Sequence, residues 1–225
     1  MVDDQKPIGI LGGTFNPIHF GHLRLALEIA QDIEFDHVRL IPTGNPPHRP
    51  TPRVSARVRL EMTKIAVEGN PGFKVDEREI NRDGLCYTVD TLTELRTEFG
   101  ATRSLCLLMG ADAFLGLCGW HLWQRVFDLA HIIVAHRPGT SFDAWESAMP
   151  SALVQELRHR LTTDASALVN NAYGKILLQR ITLLDLSSSA IRREIRRGRS
   201  VQYLLPDGVL DYIQRNRLYR DADED

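Results

Sequence analysis

Cysteine is scarce in this sequence, and neither sign of charge is in excess. Three cysteines occur among 225 residues. Cys86, Cys106 and Cys118 are odd in number and widely spaced, which argues against a disulfide framework and against the paired spacing of a zinc site. All three are expected to be reduced and structural. With 27 basic against 29 acidic side chains, the whole-chain field offers no bulk attraction for DNA, RNA or an anionic membrane, so any phosphate recognition must be local. No nucleic acid and no membrane are therefore expected as partners. Long apolar runs are missing as well. Met1 to Pro7 is polar, and nothing approaches the roughly 20 apolar residues of a membrane span, so a cytoplasmic protein without a signal peptide is expected.

The hydrophobic share of 43% is ordinary for one full core, and no internal repeat, linker or low-complexity block interrupts it. One domain over 1–225 is expected, with a small C-terminal helical part at about 187–220 packed on it. Homo-oligomerisation is left open by the sequence.

Strand and helix signals alternate along the chain. Pro7 to Leu11 reads as a strand running into Gly12-Gly13, and Leu23, Ala26, Leu27 and Ala30 then recur at helical spacing. His37 to Ile41 is a second buried strand. Val58, Met62, Ile65 and Ala66 mark the apolar stripe of a helix from Ser55 to Glu68, with Ser55 as its N-cap. A strand over Phe73 to Ile80, a helix over Thr88 to Phe99 and a strand over Leu105 to Met109 follow. Helical segments at Ala111 to Leu117 and Trp123 to Ala130, a strand at Ile132 to Ala135 and a helix at Ala144 to Leu161 come next. Ile176 to Leu186 supplies the last strand, and helices at Ser188 to Arg197 and Pro206 to Arg217 close the chain. This is the pattern of an α/β fold, a doubly wound parallel sheet with helices on both faces, whose ligands sit at the carboxyl ends of the strands.

The segment from Gly12 to His22, GGTFNPIHFGH, lies where the first strand turns into the first helix. Gly12 and Gly13 let a ligand approach the backbone, and the helix start presents N–H groups at the positive end of its dipole. His19 and His22, three apart with Gly21 between them, are placed to donate to one phosphate. The competing readings are a metal pair or two histidines making ordinary capping contacts. Near the other end, Ser187-Ser188-Ser189 opens a helix, and Arg192 one turn in adds a forked cation suited to a polyphosphate. The alternative there is a capped surface helix whose Arg192, Arg193, Arg196, Arg197 and Arg199 form a solvated basic face, or an RNA-binding module.

GGTFNPIHFGH resembles the signature of the nucleotidyltransferase superfamily with the H-x-G-H element, and LSSSAIR at 186–192 resembles its second motif, with Ser189 where threonine is usual. Further strings narrow the resemblance to the bacterial nicotinate-nucleotide adenylyltransferases. These are Ile41-Pro42 with Pro46-Pro47-His48-Arg49, Tyr87-Thr88 with Asp90-Thr91-Leu92, Gly110-Ala111-Asp112, Trp120, and His136-Arg137-Pro138-Gly139. Asn16 departs from the aspartate common in that family, and Cys86 from its serine.

The resemblance implies a Rossmann-like fold and transfer of AMP from ATP to nicotinate mononucleotide, giving the deamido dinucleotide and pyrophosphate, with Mg2+ carried on the ATP. It makes His19, His22 and Arg192 catalytic. ATP would meet Gly12, Gly13, Thr14, Phe15, His19, Gly21, His22, Gly110, Asp112, Ser187, Ser188, Ser189 and Arg192. The mononucleotide would meet Gly13, Thr14, His48, Tyr87, Thr88, Asp112, Trp120 and Arg137. No residue is expected as a metal ligand. A different phosphate acceptor, phosphopantetheine or nicotinamide mononucleotide, is the nearest competing substrate.

Overall fold

The computed structural model describes residues 6–47, 52–136, 146, 148–182 and 184–220. Seven strands form one sheet, every pair parallel: β1 (Ile8–Gly13), β2 (His37–Pro42), β3 (Phe73–Val75), β4 (Leu105–Gly110), β5 (His131–His136), β6 (Leu161–Thr162) and β7 (Ile176–Arg180). Their order across the sheet is β3-β2-β1-β4-β5-β7-β6.

Strand residues are buried on both sides and alternate between two cores, as a parallel sheet covered on both faces requires. In β4, Cys106 and Leu108 join one core, while Leu105, Leu107 and Met109 join the other. The first core is closed by α1 (Phe20–Asp32), α2 (Ala56–Val67) and, from the C-terminal part, α7 (Ser188–Arg196) and α8 (Asp207–Arg215), through Ile29, Met62, Ile191 and Val209. The second is closed by α3 (Thr88–Phe99), α4 (Ala111–Leu115) and α5 (Ser151–Arg160), through Leu92, Phe114 and Leu153. A short α6 (Ser166–Val169) precedes β7. The doubly wound, Rossmann-like architecture expected from the alternation is the one present.

Several elements are shorter than the sequence pattern. β3 stops at Val75 because the Asp76 carboxylate binds Arg39 and Arg78, and the chain then turns, with the Ile80 and Asn81 amides returning to the Glu77 carbonyl. β7 spans Ile176–Arg180, paired with β5 as far as His136, and one further bond runs from Ile181 N–H to His136 O. The helix expected at 111–117 ends with Gly116 as the C-cap of α4, a 3₁₀ turn at Leu117–Gly119 follows, and the helix expected at 123–130 is a 3₁₀ turn at Trp123–Asp128. Pro150 stands at the N-cap of α5, so the regular part of the helix expected at 144–161 begins at Ser151. In α2 the buried face carries Arg59, Leu60, Met62, Thr63 and Val67. It is rotated from the expected stripe, and a guanidinium lies on it.

The cysteines are free, with Cys86 and Cys106 buried and Cys118 half-buried. Burial pushes the Cys106 thiol up to about 12, which keeps it protonated and inert at neutral pH.

β1 sits between β2 and β4, and the chain leaves it toward β2 but returns on the β4 side. This is a topological switch point, and the carboxyl ends that face it are Gly13 and Gly110.

Candidate active site

The turn leaving β1 is shaped by Phe15, whose φ of 46° lies in the left-handed region. That conformation is costly for a bulky residue and is held here by burial. It brings the Phe15 ring edge-on to His22, 5.1 Å between centroids.

His19 is the N-cap of α1, and its Nδ1 accepts the Gly21 N–H at 3.1 Å. His22 reciprocates: its Nδ1 accepts the His19 N–H at 3.3 Å, completing a capping box. The two rings stack at 3.8 Å and 25°. Gly21 is required by this packing, because a Cβ there would lie 2.9 Å from His19 Nδ1 and 3.0 Å from its Cε1.

The capping bonds settle the chemistry of the rings. Both Nδ1 atoms accept, so each neutral imidazole carries its proton on Nε2, an assignment that follows from the hydrogen bonds. Burial lowers the pKa of His19 to about 4. Burial, and then the charge of His19, drives His22 well below its ordinary value. At pH 7 the pair is neutral and offers two Nε2–H donors. The capping reading of these histidines therefore holds for Nδ1 and leaves Nε2 for other work.

The C-terminal serine run docks on the same turn. Ser187 caps α7 by accepting the Ala190 N–H, and Ser188 Oγ donates to the Pro17 carbonyl at 2.9 Å. Arg192 Nη1 donates to the Asn16 carbonyl at 2.8 Å, and its Nη2 lies 3.5 Å from Ser189 Oγ. Tyr219, fully buried, donates its hydroxyl to Asn16 Oδ1 at 2.7 Å. The two ends of the chain thus meet at Asn16.

The other expected residues form two groups. Gly12 and Gly13 end β1 and Thr14 follows it, and Gly110 ends the neighbouring β4, with exposed Asp112 in the first turn of α4. Tyr87 and Thr88 open α3, whose N-terminus has no side-chain cap. The Tyr87 ring lies 4.5 Å from that of His121, beside Trp120, and both Tyr87 and Trp120 pack partly buried on the second core. His48 and Arg137 lie outside the described residues.

Arg193, Arg197 and Arg199 are exposed and turn to Glu194, as the expected solvated basic face requires, whereas Arg196 is half-buried. A cavity of about 410 Å³ opens beside them between α7 and α8, lined by Arg196 and floored by Val201, Leu210 and Ile213. Its lining includes none of the residues assembled around the histidines.

Arg59 and Glu79 are buried charged side chains that the sequence reading did not place. Arg59, 1% exposed, sends Nη1 to the Thr14 carbonyl and Nη2 to the Gly44 carbonyl. Glu79, also buried, accepts from Thr91 Oγ1 at 2.6 Å, and burial raises its carboxyl above the usual range. The signal for Arg59 was present, because it stands three residues before Met62 on the apolar side of α2.

The family model described as cytidylyltransferase-like matches residues 10–194. A protein of Halorhodospira halophila named probable nicotinate-nucleotide adenylyltransferase is 48% identical over 91% of this chain and 91% of its own length. One of Dechloromonas aromatica with the same name is 46% identical over 97% of this chain and 100% of its own. The solved Plasmodium falciparum nicotinic acid mononucleotide adenylyltransferase complexed with NaAD superposes with a TM-score of 0.70. At 16% identity, covering 95% of this chain and 97% of that one, it supports the fold alone. With this match to the family model and these relatives along nearly its whole length, the chain belongs to the cytidylyltransferase-like family, in the nicotinate-nucleotide adenylyltransferase group.

Proposed function

We propose that this protein transfers AMP from ATP to nicotinate mononucleotide, forming nicotinate adenine dinucleotide and pyrophosphate for NAD biosynthesis in the cytoplasm. The observation that carries the reading is the stacked, neutral His19–His22 pair at the end of β1, with Arg192 held on the Asn16 carbonyl beside it.

The reaction is an in-line displacement. A phosphate oxygen of the mononucleotide attacks the α-phosphorus of ATP, a new P–O bond forms, and the bond to the β-phosphate oxygen breaks with its electron pair leaving on pyrophosphate. Protein groups have no covalent step to perform. They align two anions and stabilise the charge that grows on the phosphoryl oxygens. His19 and His22 donate through Nε2–H, and Arg192 supplies a permanent cation for the departing β and γ phosphates. Gly12, Gly13, Thr14, Phe15, Gly21 and Ser187 to Ser189 shape the triphosphate cradle, with Gly110 and Asp112 meeting the nucleotide at the switch point.

The donor set is made of N–H groups, which suit phosphate oxygens and not a cation. Mg2+ therefore belongs with the nucleotide, where it neutralises phosphate charge.

For the acceptor, the uncapped N-terminus of α3 at Thr88 favours the nicotinate carboxylate over a neutral amide. Trp120 and Tyr87 offer aromatic faces to the electron-poor pyridinium ring. His48 and Arg137 are read as contacts to the mononucleotide phosphate. The chain acts as one domain in this reading, its C-terminal helices sharing a core with α1 and α2.

The test is direct. Purified protein is incubated with ATP, Mg2+ and either nicotinate or nicotinamide mononucleotide, and the dinucleotide formed is weighed by mass spectrometry. Production of the acid dinucleotide at a rate at least about tenfold above the amide form is expected. Formation of neither dinucleotide refutes the reading.

A further inference from the structure

The sheet has one rung too few to hold its two loops together, and a side chain supplies it. The last main-chain bond between β1 and the loop after β2 runs from Thr43 N–H to Gly13 O at 2.9 Å. Beyond it the two chains leave the sheet, one toward the histidines and the other toward Pro46-Pro47. The next residues on each side are Thr14 and Gly44, and the fork of Arg59 donates to both of their carbonyls.

The loop after β2 is fixed on its other side as well. A Cβ on Gly44 would lie 2.0 Å from the Glu79 carbonyl oxygen, so backbone meets backbone there and only glycine fits. Asn45 O accepts the Cys86 N–H at 2.9 Å, and Cys86 Sγ donates to that same Glu79 carbonyl. Cys86 leads straight into Tyr87 and Thr88. A continuous chain of contacts thus runs from Thr14 through Arg59, Gly44 and Asn45 to the opening of α3.

We infer that Arg59 is a positioning residue that sets the distance between the ATP cradle and the mononucleotide site. The inference rests on the function proposed above and extends it. Two anions that must react in line gain little from being bound well separately if their spacing is wrong, and a misplacement of about 1 Å costs on the order of 100-fold in rate. Planarity suits a guanidinium to this task. Its two terminal nitrogens hold a fixed separation, whereas a lysine ammonium is a single point that satisfies one carbonyl at a time.

The experiment compares wild type with Arg59→Lys, which keeps the charge on a side chain one atom shorter with a single nitrogen, and Arg59→Gln, which is shorter still and removes both the charge and the fork. Four quantities are measured: kcat, the separate affinities for ATP and for nicotinate mononucleotide, and the affinity for the dinucleotide product, which spans both sites. The expected result is a fall in kcat of about 30- to 100-fold in both variants, with each separate affinity within about threefold of wild type. Dinucleotide affinity should fall by at least about tenfold, because that ligand alone senses the spacing. Arg59→Lys with wild-type kcat and dinucleotide affinity would overturn the inference while leaving the proposed function intact. Equal losses in all three affinities, with a lower melting temperature, would assign Arg59 a merely structural role and also overturn it. A wild-type protein that forms no dinucleotide would remove the proposed function beneath it.

Discussion

Tyr219 and Asn16, 203 residues apart, are joined by a buried hydrogen bond of 2.7 Å from the phenol to the amide oxygen. The Asn16 main-chain oxygen takes Arg192 as well, so one residue of the β1 turn anchors two separate C-terminal elements. Replacing Tyr219 by phenylalanine removes only the hydroxyl and leaves a buried acceptor unmet. The expected cost is about 1–3 kcal/mol of stability by denaturant titration. A kcat lowered severalfold should accompany it, since the turn that carries His19 loses an anchor. Unchanged values of both would show that the phenol is packing only.

Gly21 separates stability from activity. Any gain in helix propensity from Gly21→Ala is at most about 1 kcal/mol and is offset by the strain of displacing the buried His19 ring, so the melting temperature should stay unchanged or fall slightly. The alanine methyl group would displace the His19 ring, because that Cβ would stand 2.9 Å from His19 Nδ1. Turnover should fall at least about tenfold in steady-state assays. Full activity would mean that the ring position is unimportant.

Acid should weaken the fold through its histidines. His19 has a folded pKa of about 4 against 6.5 unfolded, and His22, His37 and His131 are lowered too, each first by burial. Between these values the unfolded chain binds protons that the native state refuses, so stability is complete above about pH 6.5 and declines as pH falls toward 4. The His19 share is on the order of 3 kcal/mol. Melting curves from pH 7.5 to 4.5 should show the decline, and His19→Asn should make it shallower. A wild-type profile flat across that window would contradict the neutral-imidazole assignment.

Much of the sheet was legible because its strands are short, apolar and followed by glycine, and because H-x-G-H sits at the β1–α1 turn. Ser55 and Ser187 were legible as N-caps for the same local reason, since a hydroxyl before a periodic segment has one obvious use. Illegible were the residues whose partners are distant in sequence. Arg59 reaches Thr14 across 45 positions, and Arg96 on α3 donates to the carbonyls of Gly100, Arg103, Leu129 and Ala172. Spacing from Met62 marks Arg59 as facing the core, but the partners of such guanidiniums cannot be named until the fold brings main-chain oxygens to them. The end of β3 was overestimated because Ile80 extends the apolar pattern past the turn that begins at Glu77.

The central claim is that neutral imidazoles at the end of β1 stabilise the phosphoryl group in transfer, and His22→Ala tests it most directly. The measurement pairs kcat with the dissociation constant for nicotinate mononucleotide in the same preparation. A fall in kcat of about 100- to 1,000-fold, with mononucleotide binding changed less than about threefold, is the predicted result. A variant that turns over at the wild-type rate, or one that loses binding and rate in equal measure, would contradict it.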